Sequence, residues 1–333
     1  FMPVPGTGSP DLGGMTADGA VEVRVPADHR VAQMVPAFSS LTEPVGDGAA
    51  LATWLLVKGA RERATVFLCG HGGDEVLGGY RLSYDGFRLR QLRALSWLPA
   101  GWVQGQVERY VHGAEPFAER WRRVRQMPAI RTGDAVRHLI HRPLTAPDLR
   151  RLLGEGASLD QGLATVDRLY AESDGEHTLD RIQEVLLHTF LEANLVSWAD
   201  AVAMDASAEL RLPFLDRDLV AFALSLPPQE RALFWPGRRQ TKRILRRWGR
   251  GRLDEAVLRR GKHGFPFGNL PQLLESDGDT LRGYLLESPA LRRALPGLEA
   301  WLAEPATTFG EPREGTLWAA LALGIWCAAH GVR

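Results

Sequence analysis

An apolar run that enters a glycine turn and leaves it as an acidic helix start constrains this chain most. It is "VFLCGHGGDEVLGGY", Val66 to Tyr80. Thr65–Cys69, "TVFLC", is short, continuous and apolar, as in a buried parallel strand. Before it, "VEVRVP" (Val21–Pro26) alternates as a strand does, residues 27–40 form a helix, and Gly46 to Ala60 form a second with Asp47 at its start. This strand–helix–helix–strand–turn–helix order is the rhythm of a doubly wound parallel α/β sheet.

In such sheets ligands bind beyond the carboxyl ends of the strands. Glycines there permit positive φ and close approach of a ligand to the backbone. A helix start offers free N–H groups to phosphate, and Asp74 and Glu75 are placed to hold Mg²⁺ together with phosphate oxygens. A tight turn with a capping aspartate would leave the same trace.

The rest of the chain reads as a large helical portion. Residues 81–155 are Arg-rich and lack a strand pattern, and "AERWRRVRQM" reads as a solvated surface helix. Leu179 to about Ala208 is strongly helical. Asp216 caps another helix, which Pro227-Pro228 ends. Lys242 is assigned to a short basic helix, "RRQTKRILRRW". "TLWAALALGIWCAAHGV" (Thr316–Val332) is slightly short for a bilayer and is read as a buried core helix.

Bulk properties narrow the class. The 333 residues are 45% hydrophobic with zero formal net charge, which gives no support to a nucleic-acid reader. Two distant cysteines, Cys69 and Cys327, suit a reducing cytoplasm. The only lysines are Lys58, Lys242 and Lys262, so each is a candidate for a position where arginine would not serve.

Further motifs follow in order: "TEPVGD" (Thr42–Asp47), "ELRLPFLD" (Glu209–Asp216), "QTKRILRR" (Gln240–Arg247) and "LRRGKHGF" (Leu258–Phe265), with "GSPDL" (Gly8–Leu12) near the start and "LW" at Leu317-Trp318. With the glycine turn they resemble the synthetase (ATP-pyrophosphatase) domain of the asparagine synthetase family over most of residues 1–333, least over the variable helical stretch 85–178. The resemblance implies an adenine nucleotide alpha-hydrolase-like fold. It also implies ATP-dependent amide formation: a carboxylate attacks the α-phosphorus of ATP, and an amine or ammonia then displaces AMP. The cofactors it implies are ATP and Mg²⁺. By the same resemblance Val4, Cys69, Gly70, Asp74 and Lys262 lie on the nucleotide side, Asp74 and Glu75 on the metal side, and Lys242 stabilises negative charge. Glu209 and Arg211 are expected as a buried structural pair.

The sequence also departs from the family. No Ser-Gly-Gly-x-Asp-Ser phosphate loop occurs, a helix of several turns is reduced to residues 13–20, and the family's N-terminal glutaminase domain is missing. The chain is therefore expected to be an incomplete piece, with an upstream region or partner chain supplying these parts. His71 stands where asparagine-forming members carry a carboxylate and ring-closing members a tyrosine. An imidazole is a plausible general base for an amine. Three readings stay open: an asparagine-synthetase-like amidotransferase, a lactam or macrolactam cyclase (β-lactam synthetase or lasso-peptide cyclase type), and a non-catalytic binding or assembly module. Neither a nucleic acid nor a membrane is expected as a partner.

Overall fold

Asp47 starts the first helix that bears on the site. Its Oδ1 accepts from the N–H of Ala49 at 2.9 Å, capping a helix whose flanks are apolar on nearly every side. Such a helix belongs inside a core. In the computed structural model, which describes residues 30–80, 151–154, 159–235, 238–259, 270–303 and 311–332, that is where it lies.

The elements run α1 (Arg30–Ser39), α2 (Gly48–Ala60), β1 (Val66–Leu68), α3 (Gly73–Leu77), α4 (Leu159–Glu172) and α5 (Thr178–Leu186). A π-helix, Leu187–Val196, continues into α6 (Ser197–Asp205). Then come β2 (Glu209–Arg211), a 3-10 turn (Pro213–Leu215), α7 (Arg217–Ser225), α8 (Pro228–Arg231) and the strands β3 (Leu233–Trp235) and β4 (Arg238–Gln240). The remainder is helical: α9 (Arg243–Gly249), α10 (Glu255–Arg259), α11 (Leu270–Leu286), α12 (Pro289–Ala294), α13 (Leu298–Ala303) and α14 (Glu311–Ala329).

The main core joins Met34 and Phe38 of α1, Leu51 of α2, Trp198 of α6, Leu281 of α11 and Leu321 of α14. The apolar C-terminal stretch thus lies in α14 as a core helix, with Leu317, Trp318 and Ile325 buried. Among the described residues no helix is long and apolar enough to cross a membrane. Leu152 also enters this core, and the carbonyl of Leu152 accepts from Gly297 N–H at 3.0 Å. The rest of the expected variable stretch up to residue 150 lies outside the described residues, as does the expected strand Val21–Pro26.

β1 pairs in parallel with β2 in the register Val66–Glu209, Phe67–Leu210 and Leu68–Arg211. Cys69 N–H donates to the Arg211 carbonyl at 2.8 Å and extends the ladder past the strand end. Among the described residues this is the whole parallel sheet; β3 and β4 form a separate antiparallel pair. Two expectations are corrected here. β1 is parallel but not buried on both faces, since Leu68 is 76% exposed and only Phe67 packs inward, against Val57, Ala206 and Ala208. Glu209 and Arg211 do pair, Nε to Oε1 at 2.8 Å, but on the surface: residues two apart on a strand share a face, and that face is the exposed one.

Candidate active site

The glycine turn sits at the carboxyl end of β1. Gly72 takes φ 85° and starts α3; a Cβ there would strike the side chain of Leu215. Gly78 takes φ 65° and ends α3. With only five residues, α3 has little stability of its own, so its neighbours hold it. Val76 and Leu77 pack with Ala223 of α7 and against Phe214, Leu215, Ile244 and Leu245.

A buried polar chain fixes α3 from the other side. Gln183 Nε2 donates to the carbonyls of Glu75 at 2.7 Å and Val76 at 3.0 Å. Gln183 Oε1 accepts from Arg231 Nη1 at 2.7 Å, and Arg231 Nη2 pairs with Asp180. Arg231 is 1% exposed. A guanidinium that deep needs its partners, because a buried unpaired charge is costly.

Asp74 and Glu75 separate at this point. Asp74 is half-buried and its Oδ1 lies 3.1 Å from Lys242 Nζ. Lys242 is not inside a helix as the sequence suggested. It is the residue before α9, in the left-handed region at φ 50°. That conformation is costly for a residue with a Cβ and persists where the surroundings enforce it. Gly79 completes the contact: a Cβ there would strike both Asp74 Oδ1 and Lys242 Cε. Glu75 turns the other way. It is 1% exposed and accepts a hydrogen bond from the Tyr80 hydroxyl. Burial, reinforced by the Glu75 carboxylate, holds the Tyr80 phenol far above its usual range, so it stays a donor.

His71 is half-buried, with its ring edge-on to that of Trp198, centroids 5.2 Å apart. Its Nδ1 is buried without a hydrogen-bond partner. Burial pushes the imidazole below its ordinary value, and the negative charge of Asp47 works against that shift. Burial likewise raises the Cys69 thiol, opposed by the backbone N–H groups of His71 and Gly70. Gly70 is exposed, and a Cβ there would meet nothing within 4 Å.

The structure therefore brings Cys69, Gly70, His71, Asp74, Glu75 and Lys242 to one end of β1. Val4 and Lys262 lie outside the described residues. Lys58 is elsewhere: its Nζ lies 2.9 Å from Asp205 Oδ2 and bonds the Asp205 carbonyl at 3.1 Å. Sequence reasoning missed Asp47 and Trp198 as neighbours of His71, and Gln183 and Arg231 as the support of α3. A glutamine within an apolar helical run was the one visible signal for the latter.

The described residues are mostly helical with a small parallel sheet, an arrangement compatible with α/β proteins of the adenine nucleotide alpha-hydrolase type. The family model "Asparagine synthase" matches residues 15–307, and the chain belongs to the asparagine synthase family. It is 26% identical over 225 residues to "Asparagine synthetase (glutamine-hydrolyzing) 1" of Bacillus subtilis (strain 168), covering 67% of this chain and 34% of that protein. It is 29% identical over 302 residues to a protein named "Putative asparagine synthetase (glutamine-hydrolyzing)" from Mycobacterium tuberculosis (strain ATCC 25618 / H37Rv), covering 81% of this chain and 41% of that one. The chain thus spans well under half the length of these curated relatives.

Proposed function

We propose that this chain forms an amide bond at the expense of ATP, through an acyl-adenylate. The observation that carries the reading is the Asp74–Lys242 pair at the end of β1, with Lys242 in a left-handed conformation and Gly79 making room for both. In this reading a substrate carboxylate oxygen bonds to the α-phosphorus and pyrophosphate leaves. An amine then bonds to the acyl carbon and AMP leaves. Lys242 Nζ stabilises the negative charge that develops, a role that depends on a donor fixed in advance. The open backbone beside Gly70 lets the nucleotide approach the strand end. The doubly wound sheet belongs to the same reading.

Mg²⁺ fits part of the expected donor set. Among the described residues no group of three or more His, Cys, Asp or Glu is gathered for a metal. Asp74 offers one carboxylate, which suits an ion that takes most of its ligands from phosphate and water. Glu75 does not fit, because its carboxylate faces inward and holds Tyr80. Bound there, the ion would neutralise phosphate charge.

His71 favours, as a second reading, an amine carried on a larger substrate, as in a cyclase: its half-buried ring stands edge-on to Trp198, which enters the main apolar core.

The test is ATP–pyrophosphate exchange with a panel of amino-acid and peptide carboxylates, on the full chain with its natural flanking sequence. Exchange that needs a carboxylate and is lost in Lys242→Met supports the reading. No exchange with any carboxylate would favour a non-catalytic binding module.

A further inference from the structure

The surroundings of His71 are gathered by one helix face. Positions 194, 197 and 198 stand at i, i+3 and i+4 where the π-helix runs into α6, a spacing that shares a face. Each reaches a different residue of the site. Asn194 Nδ2 donates to Asp47 Oδ2 at 2.9 Å. Ser197 Oγ donates to Glu43 Oε1 at 2.7 Å. Trp198, 1% exposed, meets the ring of His71. One helix face therefore carries the contacts to Asp47 and His71, and the charge of Asp47 acts on the imidazole.

The polar accounting of this cluster is uneven. Asp47 has one oxygen on Ala49 N–H and the other on Asn194, and each carboxylate oxygen can accept a second donor. His71 Nδ1 and the indole Nε1 of Trp198 are both buried without partners. Asp47 and His71 are half-buried and Glu43 is exposed, so the cluster opens toward solvent. Asp74, three residues beyond His71, has its charge engaged by Lys242. The negative charge that acts on His71 is that of Asp47.

We propose that Asp47, framed by Asn194 and Trp198, is a positioning residue that draws a protonated primary amine, ammonium or alkylammonium, to His71. This rests on the amide-forming reading above. An imidazole alone carries no negative charge to attract a cation, and the neighbouring carboxylate supplies it. The amine gives one proton to the imidazole. Its freed lone pair bonds to the acyl carbon, the carbon–oxygen bond to the phosphate breaks with its electrons leaving on AMP, and the second amine proton passes to solvent.

The test uses the full chain without ATP, so it does not depend on turnover. The His71 imidazole is followed by NMR with histidine labelled at carbon, assigned through His71→Gln, and titrated with methylammonium chloride as the probe. Asparagine caps helices as well as aspartate, so Asp47→Asn keeps α2; equal melting temperatures would check this. The expected result is a saturable shift of the His71 signal in the wild type, weakened roughly fivefold or more in Asp47→Asn, as for loss of one nearby charge. Trp198→Phe should retain the shift with a changed chemical-shift origin. No methylammonium effect on His71, or equal affinity in Asp47→Asn, overturns the proposal. Failure of pyrophosphate exchange would count against the amide-forming reading alone.

Discussion

Lys242 Nζ lies 3.1 Å from Asp74 Oδ1, joining the residue before α9 to the first turn of α3. Both side chains keep a quarter or more of their surface open, although the Oδ1 that meets Lys242 is itself buried. As a surface-type ion pair it contributes on the order of 1 kcal/mol or less to stability. Lys242→Ala should therefore leave the melting temperature nearly unchanged while lowering carboxylate-dependent pyrophosphate exchange by at least about a hundredfold. A large loss of stability with full exchange would contradict this assignment.

Gly70 and Gly79 should respond oppositely to alanine. At Gly79 a methyl group meets Asp74 and Lys242, and overpacking of this kind costs about 1–3 kcal/mol. At Gly70 the space is open. Gly70→Ala is expected to melt as the wild type does and yet bind ATP more weakly, by equilibrium dialysis, because the added methyl enters the ligand's side.

Arg231→Met removes a buried charge and strands two partners, Asp180 and Gln183. Breaking such a pair costs about 3 kcal/mol or more. Urea denaturation should show it, and hydrogen exchange should rise first at the amides of α3, which Gln183 holds by two carbonyls.

His71 gives a pH signature. Its folded value is depressed by burial, so between that value and the ordinary 6.5 the unfolded chain binds the extra proton. Stability from this group is present above about 6.5 and falls as the pH drops through the folded value. Melting temperatures from pH 7.5 to 5 should therefore decline less steeply in His71→Gln than in the wild type.

Cys69 should be a slow thiol. Burial raises it above its usual value, so less thiolate is present at pH 8. Iodoacetamide should modify Cys69 more slowly in the folded chain than in urea, followed by mass spectrometry of the Cys69 peptide.

Local chemistry made much of this legible. The cap at Asp47, the strand through Phe67, the glycine turn, the cap at Asp216 and the apolar α14 all follow from short-range pattern. Asp216 Oδ1, for instance, accepts from both Asp218 and Leu219 N–H at 3.1 Å. What the sequence could not give depends on long-range pairing. β2 has only three residues, directly after a long helix, and becomes a strand because β1 is there to receive it. Its exposure could not be read from the alternation either, since period two says which residues share a face and not which face is covered. Asp74 and Glu75 look equivalent in sequence, yet α3 turns one to Lys242 and the other to Tyr80. The left-handed backbone at Lys242 has no signal in "QTKRILRR", which reads as continuous helix.

The π-helix between α5 and α6 acts as a vernier between two rigid scales. On its N-terminal side Gln183 is locked to α3; on its C-terminal side Trp198 is locked to His71. Wider winding takes up extra residues without adding turns, and so reconciles two facings that ordinary winding over the same length would bring out of phase. A single-residue deletion in Leu187–Val196 would shift the two scales by one residue's angular step, somewhat less than the roughly 100° of an ordinary helix. The gauge can then be right at one end only, and the length of this segment, more than its composition, becomes the quantity that the site depends on.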